Sequence, residues 1–190
     1  FGGIPLKEGD DIYNSSLAID QEGNLLARYD KIHLFQLSIE GKLSIDETET
    51  YSPGEWSPTT FEYRGWKIVL SICYDIRFPE LYRELVPFDL IICTAAFTKK
   101  TGRAHWELLS RARAVENQTY FIGVDQTGRN ALSGQSAYGH SIVVDPWGKE
   151  LLNLRDIVKH ETITLEKKQL NQYRKLLPAI KNRRICNIDR

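Results

Sequence analysis

Two short apolar segments constrain the fold of this chain more than any other feature. Residues 66–72 (WKIVLSI) and 89–94 (DLIICT) are mostly apolar, with consecutive apolar residues at 68–70 and 90–93, as in strands buried on both faces. A short helix is predicted between them at 79–86, and the most strongly helical stretch, 104–118, follows the second. Buried strands that alternate with helices predict a layered α/β domain with a mixed sheet.

The other segments predict hairpins, a long loop and a further helix. Further strands are predicted at 1–5, 13–19, 25–29, 120–124 and 139–144, a polar loop at 36–58 and a polar helix at 166–176. In the long helix, Leu108, Ala112 and Val115 share one face, with Arg111 and Arg113 elsewhere. A loop as long as 36–58 is usually functional or disordered.

One pattern occurs twice in the chain. Residues 15–27 (SSLAIDQEGNLLA) and 140–152 (HSIVVDPWGKELL) both give a strand, an aspartate, a turn with glycine and a second strand with Leu-Leu. This internal similarity indicates a fold with two similarly built halves.

The charge and hydropathy of the chain argue against nucleic acid and membranes as its binding partners. The 190 residues, 42% of them hydrophobic, suit one domain over 1–190. Basic and acidic side chains number 25 each, so no overall field attracts nucleic acid or an anionic membrane. No apolar run approaches the ~18 residues of a membrane span. A small molecule or another protein is therefore the expected partner.

The cysteines and the missing methionine indicate the setting of the chain. Cys73, Cys93 and Cys186 are odd in number and lack CxxC spacing, which argues against a disulfide framework and favours a reducing, cytoplasmic environment. The sequence contains no Met, so Phe1 is not expected to be the translated start, and the N-terminus is expected to be incomplete.

Cys73 has two interpretations. Free cysteine is often a small core residue, and Cys93 and Cys186 are interpreted as structural or incidental. Cys73, however, ends an apolar strand, where α/β sheets present ligand-binding groups, and a helix that follows would stabilise a thiolate.

The partners that a thiol nucleophile needs are less clear from local patterns. None of the four histidines, at positions 33, 105, 140 and 160, carries a recognisable signature, and no GxSxG motif is present. A metal site at His105 and Glu107 is not expected, because residues two apart on a helix diverge. Lys31, in YDKIHLF, is either a solvated lysine or an ammonium directed into a cleft. Glu47 is one of several loop carboxylates, with Glu40, Glu49 and Glu55.

Four segments together resemble the nitrilase superfamily of carbon–nitrogen hydrolases. They are YDKIHLF, SICYDIRFPEL with 42 residues from Lys31 to Cys73, TGRAHWELLSRARAVENQTY, and YGHSIVVDPWG. The resemblance extends from Phe1 to about Arg184 and is strongest to the branch of omega-amidase and deaminated-glutathione amidase. It implies a four-layer αββα sandwich that lacks its N-terminal part here, a homodimer or larger homo-oligomer, and no cofactor or metal.

The resemblance also implies the chemistry. Cys73 corresponds to the nucleophile, Lys31 to the oxyanion-stabilising cation and Glu47 to a second glutamate, with the N–H of Tyr74 as the other oxyanion donor. The general-base glutamate of the family precedes the segment that Phe1 begins. The implied reaction is hydrolysis of a small carboxylate-bearing amide through a cysteine thioester, with release of ammonia.

Several further residues remain open between a functional and a structural role. Arg77 binds substrate or pairs with Glu80 or Glu107, and His105, Trp106 and Tyr138 line the pocket or pack. Three residues of the long helix are interpreted as a salt-bridge network: Arg111, Arg113 and Glu116. The tail 178–190 is solvated or lies at a subunit contact. The alternative function is a non-catalytic binding or assembly subunit that lacks the general base.

Overall fold

The two apolar segments form the centre of a six-stranded mixed sheet. The computed structural model describes residues 1–39, 43–56, 60–130 and 134–184. The strands are β1 (Gly2–Glu8), β2 (Asp11–Ile19), β3 (Leu25–Asp30), β4 (Gln36–Ile39), β5 (Leu43–Asp46), β6 (Thr60–Tyr63), β7 (Trp66–Ile72), β8 (Leu90–Ala95), β9 (Tyr120–Asp125), β10 (Thr127–Arg129), β11 (Ser136–Tyr138), β12 (Ile142–Val144) and β13 (Glu150–Asn153). The helices are α1 (Pro79–Arg83), α2 (Lys99–Asn117) and α3 (Lys167–Leu176). The sheet order is β13-β12-β9-β8-β7-β6, and β7, β8 and β9 run parallel.

A second sheet packs against the first. β1, β2 and β3 form an antiparallel sheet that contacts β7 and β8, while α2 packs on β9 and β12. The buried core lies between these layers and includes Ala18, Tyr29, Ile68, Leu70 and Phe121. Because the parallel strands are covered by other elements, most of their side chains are apolar. The prediction of an α/β sandwich is confirmed.

The repeated pattern forms the same structure in each sheet. Asp20 accepts hydrogen bonds from the N–H groups two and four residues later, at 3.0 and 2.8 Å, and Asp145 does the same at 2.9 Å each. A glycine at positive φ follows in both turns, Gly23 at 89° and Gly148 at 87°. A register shift lies just before each aspartate, in β2 and in β12. The two-half prediction therefore corresponds to one hairpin in each sheet.

The prediction of one polar loop over 36–58 is wrong for part of this segment. Strands β4 and β5 pair antiparallel there, and a 3₁₀ turn over Glu47–Glu49 follows. Their alternation of Leu or Ile with polar residues is a strand pattern of period two, which the polar composition obscures. Glu40, Gly41 and Pro58, all of this predicted loop, lie outside the described residues, as does Cys186.

Element boundaries also differ from the predictions. β1 continues past Pro5 to Glu8, since a proline is tolerated in an edge strand. α2 begins five residues early, at Lys99, because the Thr98 side chain caps it by accepting a hydrogen bond from Thr101 N–H at 3.2 Å. β12 is shorter than predicted, since Gly139 and His140 both have positive φ.

The orientation of α2 is the opposite of what its apolar residues suggest. Leu108 and Val115 are 66% and 44% exposed. The buried face consists of small and polar residues around one tryptophan, namely Gly102, Trp106, Ser110, Arg113, Ala114 and Asn117. Small residues allow close approach to the sheet, as at Gly102, where an added Cβ would lie 2.3 Å from the Tyr138 ring.

The C-terminal tail packs on its own chain as far as it is described. Arg183 donates a hydrogen bond to the carbonyl of Arg83 at 3.0 Å, and Ile180 N–H donates to Gln118 Oε1 at 3.2 Å. Residues 178–184 are therefore not simply solvated. Within the described ranges, none of the helices has the length and apolar character needed to cross a membrane.

Candidate active site

Cys73 lies immediately after β7, at the carboxyl end of the parallel strands. It begins a 3₁₀ turn, Cys73–Arg77, with φ at 47°. This left-handed conformation is unfavourable for a residue with a Cβ, and such strain clusters at functional sites. The side chain packs at the edge of the core, and Cys73 is partly exposed. Cys93, on the adjacent strand, is fully buried and has no such access.

The surroundings of the Cys73 thiol act on it in opposite directions. Burial raises its pKa to about 11, and Asp125 and Glu47 add to this effect. The Lys31 ammonium and a backbone hydrogen bond from Ala96 lower the pKa. The resting group at neutral pH is therefore a thiol, and a base must remove its proton before it can attack a carbonyl carbon.

Lys31 is buried, which excludes the interpretation as a solvated lysine. It follows β3, is 1% exposed, and forms an ion pair with Glu47. Glu47 also accepts a hydrogen bond from Phe35 N–H at 2.7 Å, and this second contact orients its carboxylate. A buried ammonium needs such a partner, because an unpaired charge in this position is costly. The structure thus brings the predicted lysine, glutamate and cysteine to one region.

Asp75 joins the segment of Lys31 to the turn of Cys73. Its carboxylate is fully buried; one oxygen accepts hydrogen bonds from Tyr29 Oη at 2.8 Å and Ile72 N–H at 2.9 Å. The other oxygen lies 2.8 Å from His33 Nδ1 and 3.2 Å from His33 N. Sequence reasoning missed this residue, although CYD and YDKIH both appear in the quoted motifs.

Two cavities open beside Cys73. The larger one, about 440 Å³, is lined by Cys73, Glu47, Asp125 and polar groups that include Asn14, Thr98 and Gln126. The smaller one shares Cys73 with it and is lined by Tyr74, Arg77, Phe97 and Thr101. The larger volume fits a small organic molecule, whereas the smaller cavity, about 20 Å³, is of the size of one water molecule.

Asp125 is a site residue that sequence reasoning also missed. It ends β9, as Cys73 follows the end of β7, so position at a parallel strand end was the available signal. One carboxyl oxygen accepts a hydrogen bond from Phe97 N–H at 2.8 Å, and the other has no partner among the described residues. Burial raises its pKa to about 7.

Arg77 is held beside Cys73 by aromatic rings. Its guanidinium carbon lies 5.6 Å from the Tyr74 ring centroid and 5.5 Å from that of Phe97, both within cation–π range. Its two terminal nitrogens lie 3.3 Å from His105 Nδ1. Within the described part of the chain it pairs with neither Glu80 nor Glu107, so the structural pairing suggested by the sequence is wrong.

The other pocket candidates have packing contacts. Trp106 is fully buried and donates from Nε1 to the His140 carbonyl at 2.8 Å. Tyr138 stacks on the His140 ring, and its hydroxyl donates to Glu107 at 3.0 Å. Neither residue is among the described residues that line the two cavities.

The long helix α2 is hydrogen-bonded to the turn that carries Cys73. Arg113 pairs with Glu116 at 2.6 Å, as the predicted network requires, and its Nε donates to the Ile76 carbonyl at 2.7 Å. The latter bond ties α2 to the turn that carries Cys73. Arg111 donates instead to the Gly148 carbonyl at 2.9 Å. In the described ranges, no three His, Cys, Asp or Glu side chains are grouped as a metal site would require.

The chain is similar to known proteins. The carbon-nitrogen hydrolase family model matches residues 1–168. Omega-amidase NIT2 of Mus musculus is 38% identical over 187 residues, covering 96% of this chain and 66% of that protein. Deaminated glutathione amidase of Dictyostelium discoideum is 39% identical over 182 residues, covering 94% and 62%.

Solved structures show the same fold. Nit3 of Saccharomyces cerevisiae, a member of branch 10 of the nitrilase superfamily, has a TM-score of 0.81 and 37% identity, with 97% of this chain and 65% of that chain covered. A mutant amidase from Nesterenkonia sp. AN1 carries the acetamide moiety of fluoroacetamide on its active-site cysteine. It has a TM-score of 0.70 and 28% identity, with 81% and 56% covered. The chain thus spans slightly less than two thirds of the curated relatives it matches. On its sequence and its fold, the chain belongs to the carbon–nitrogen hydrolase family of the nitrilase superfamily.

Proposed function

We propose that the protein hydrolyses the carbon–nitrogen bond of a small amide, with Cys73 as the nucleophile. The observation that carries this proposal is the convergence of a strained, partly exposed thiol with the buried Lys31–Glu47 ion pair. The thiol borders a cavity of small-molecule size. The covalent adduct on the active-site cysteine of the Nesterenkonia amidase mutant supports the role of the thiol.

The first step forms a thioester. A general base, which the family resemblance gives as a glutamate, takes the thiol proton, and the sulfur attacks the amide carbon. Lys31 Nζ and the N–H of Tyr74 hold the negative oxygen that develops. Tyr74 is the second residue of its 3₁₀ turn, and the first N–H groups of a helical turn have no intrahelical acceptor. The nitrogen takes the proton and leaves as ammonia.

The second step regenerates the thiol. Water adds to the thioester carbon after losing a proton to the same glutamate, and the carbon–sulfur bond breaks to release the carboxylic acid. The proton returns to the sulfur. Glu47 keeps Lys31 in place throughout, because it holds the ammonium from one side and is itself held by Phe35 N–H.

For the substrate, we propose an amide whose acyl part carries a carboxylate. Arg77 supplies a fixed guanidinium next to Cys73, on the lining of the smaller cavity, whose volume of about 20 Å³ admits no more than one small group. Thr98 and Thr101, at the N-terminal end of α2, line the same cavity, and the positive end of a helix dipole favours an anion. The names of the omega-amidase and deaminated glutathione amidase relatives agree with a small amide substrate.

We also propose that a second copy of the chain covers the exposed apolar side of α2. Leu108 and Val115 are exposed there, and Trp147, 51% exposed, lies in the turn next to Val115. The family resemblance implies a homo-oligomer. A cytoplasmic location is proposed because Cys73 and Cys93 are both free thiols.

Ammonia release from glutamine-like and 2-oxo-acid amides tests the reaction. Cys73→Ala is expected to abolish release, and Lys31→Met to reduce the rate about 10²–10³-fold, the usual cost of losing one oxyanion donor. Cys93→Ser is the matched control and is expected to retain activity, since Cys93 lines neither of the described cavities and serine keeps a polar atom at its contact with the Cys73 backbone. Cys73→Ala with unchanged turnover would rule out the mechanism. A wild-type protein that binds amides without releasing ammonia would favour the non-catalytic alternative.

A further inference from the structure

Asp75 contacts the chain on both sides of Lys31 and also the segment just before Cys73. Tyr29 and His33 lie two residues before and two residues after Lys31, and both donate to the Asp75 carboxylate. Ile72 N–H, immediately before Cys73, donates to it as well. Asp75 itself is two residues after Cys73. One carboxylate therefore fastens the lysine segment and the cysteine turn to each other.

The arrangement makes Asp75 a fixed acceptor. It is fully buried, and each oxygen has two contacts, so its charge is held by donors from three residues. Hydrogen bonds to a carboxylate are short and about twice as strong as neutral ones. Burial and the neighbouring carboxylate raise the pKa of Tyr29, which keeps the phenol protonated as a donor. Since a carboxylate only accepts, His33 Nδ1 carries the proton.

His33 is itself held in place by aromatic contacts. Its ring stacks on Phe78 with the centroids 3.7 Å apart and an angle of 6°, and Trp56 meets it edge-on at 6.0 Å. Phe78 directly follows the turn of Cys73. The stacking of His33 on Phe78 thus connects the lysine segment to the cysteine turn a second time, in addition to the Asp75 carboxylate.

We propose that Asp75 is a positioning residue: Glu47 holds the Lys31 ammonium, and Asp75 sets the segment that carries this ion pair against the turn of Cys73. It does not act as the base, because both of its oxygens are occupied and it is not among the described residues that line either cavity. The inference rests on the roles proposed above for Lys31 and Cys73. Its effect can nevertheless be measured without turnover, since Lys31 lowers the pKa of the thiol only while it is held nearby.

A double-mutant cycle on the thiol tests the inference. The four proteins are wild type, Lys31→Met, Asp75→Asn and the double variant, and the measurement is the rate of Cys73 alkylation by iodoacetamide at pH 8–9.5, followed by peptide mass mapping. Mapping separates Cys73 from the other cysteines. The other groups that act on the thiol, namely Glu47, Asp125 and the Ala96 N–H, are the same in all four proteins.

The expected result is that the effect of Lys31→Met on Cys73 alkylation becomes much smaller once Asp75 is replaced. An opposite charge shifts a pKa by about one unit or more, so Lys31→Met should slow alkylation about tenfold in the wild-type background. In the Asp75→Asn background the same substitution should slow it less than about twofold, because the ammonium is no longer held against the sulfur. A tenfold effect of Lys31→Met in both backgrounds would overturn the proposal.

The control is a second buried carboxylate at the opposite end of the parallel strands. Asp89 precedes β8, accepts a hydrogen bond from Lys67 N–H at 3.0 Å and pairs with Arg174 at 3.1 Å. Asp89→Asn removes comparable contacts far from Cys73, so the tenfold effect of Lys31→Met should persist in it. Its disappearance there as well would show that general loosening of the fold, not Asp75, controls the coupling.

A milder variant covers the case in which Asp75→Asn does not fold, as judged by its near-ultraviolet circular dichroism. Tyr29→Phe removes one donor and keeps the carboxylate, and the effect of Lys31→Met should fall partway, to about three- to fivefold. An undiminished effect there would contradict the proposal. The cycle needs no substrate, so a failure to observe amide hydrolysis would leave its result standing.

Discussion

A buried carboxyl beside the nucleophile gives the site a built-in response to pH. Asp125 has a pKa raised to about 7 by burial, and its charge in turn raises the pKa of Cys73. The residue is therefore largely neutral below neutral pH and charged above it. Stability and thiol reactivity are both linked to this one proton.

The linkage gives a prediction for Asp125→Asn. Between about pH 4, the ordinary aspartate value, and pH 7, the folded protein binds a proton that the unfolded chain has lost, so wild-type stability decreases as the pH rises. The substitution removes this decrease while keeping an acceptor for Phe97 N–H. We expect the variant to be more stable than wild type by roughly 2–4 kcal/mol at pH 8 and about equal at pH 4, by urea unfolding.

The exposed Asp156 provides the comparison for that experiment. Asp156→Asn should change the free energy of unfolding by less than ~0.5 kcal/mol at either pH. An equal effect of Asp125→Asn at pH 4 and pH 8 would show that the carboxyl does not titrate in this range.

At the scale of elements, one glycine allows the segment after the Glu47 turn to reach the lysine. Gly54 N–H donates to the Lys31 carbonyl at 2.9 Å, and a Cβ on Gly54 would lie 2.3 Å from the carbonyl oxygen of Asp30. The neighbour is backbone, which cannot move aside cheaply. The close approach of these two segments therefore depends on the missing side chain.

Gly54→Ala is expected to lower the free energy of unfolding by about 1–3 kcal/mol, the usual cost of overpacking. It should also slow Cys73 alkylation, since Lys31 would be displaced. The control is Gly2→Ala, because Gly2 has open space around it and no positive φ. Equal stability of the two variants in urea unfolding would refute the steric argument.

Elements differ in how far their sequence determines them. The segments 66–72 and 89–94 predict their strands because burial on both faces favours consecutive apolar residues, as at 68–70 and 90–93. α2 shows the limit of periodicity: its apolar residues Leu108 and Val115 are exposed, and the buried Arg113 is compensated by the Ile76 carbonyl, a partner 37 residues away. No local pattern contains such a partner.

The site residues likewise differ in how far the sequence indicates them. Cys73, Lys31 and Glu47 were indicated by motif resemblance, and the structure brings them together. Asp75 and Asp125 were not indicated, because their importance arises from burial and from contacts across strands, which spacing does not reveal. The sequence leaves Arg77 open between substrate binding and a glutamate partner, and the structure surrounds it with aromatic rings and His105.

For the whole molecule, the exposed side of α2 predicts the state of assembly. Leu108, Val115 and Trp147 are all more than two-fifths exposed, and apolar side chains grouped in this way mark interaction surfaces. Leu108→Glu is expected to convert a dimer or larger assembly to the monomer, because it places a charge in the proposed contact.

Sedimentation velocity at micromolar concentration measures this change. Arg103→Glu, exposed on another face of the same helix, should leave the assembly intact. A monomeric wild-type protein, or an assembled Leu108→Glu variant, would rule out this surface as the contact.

The left-handed conformation of Cys73 has a consequence for engineering. Glycine adopts such a conformation at no steric cost, whereas a residue with a side chain sacrifices of the order of 1–2 kcal/mol there. A screen that rewards heat resistance alone will therefore favour Gly at position 73 and so discard the sulfur. Directed evolution of this protein must therefore select for turnover and thermal stability together, because the most stable variants would otherwise lack the nucleophile.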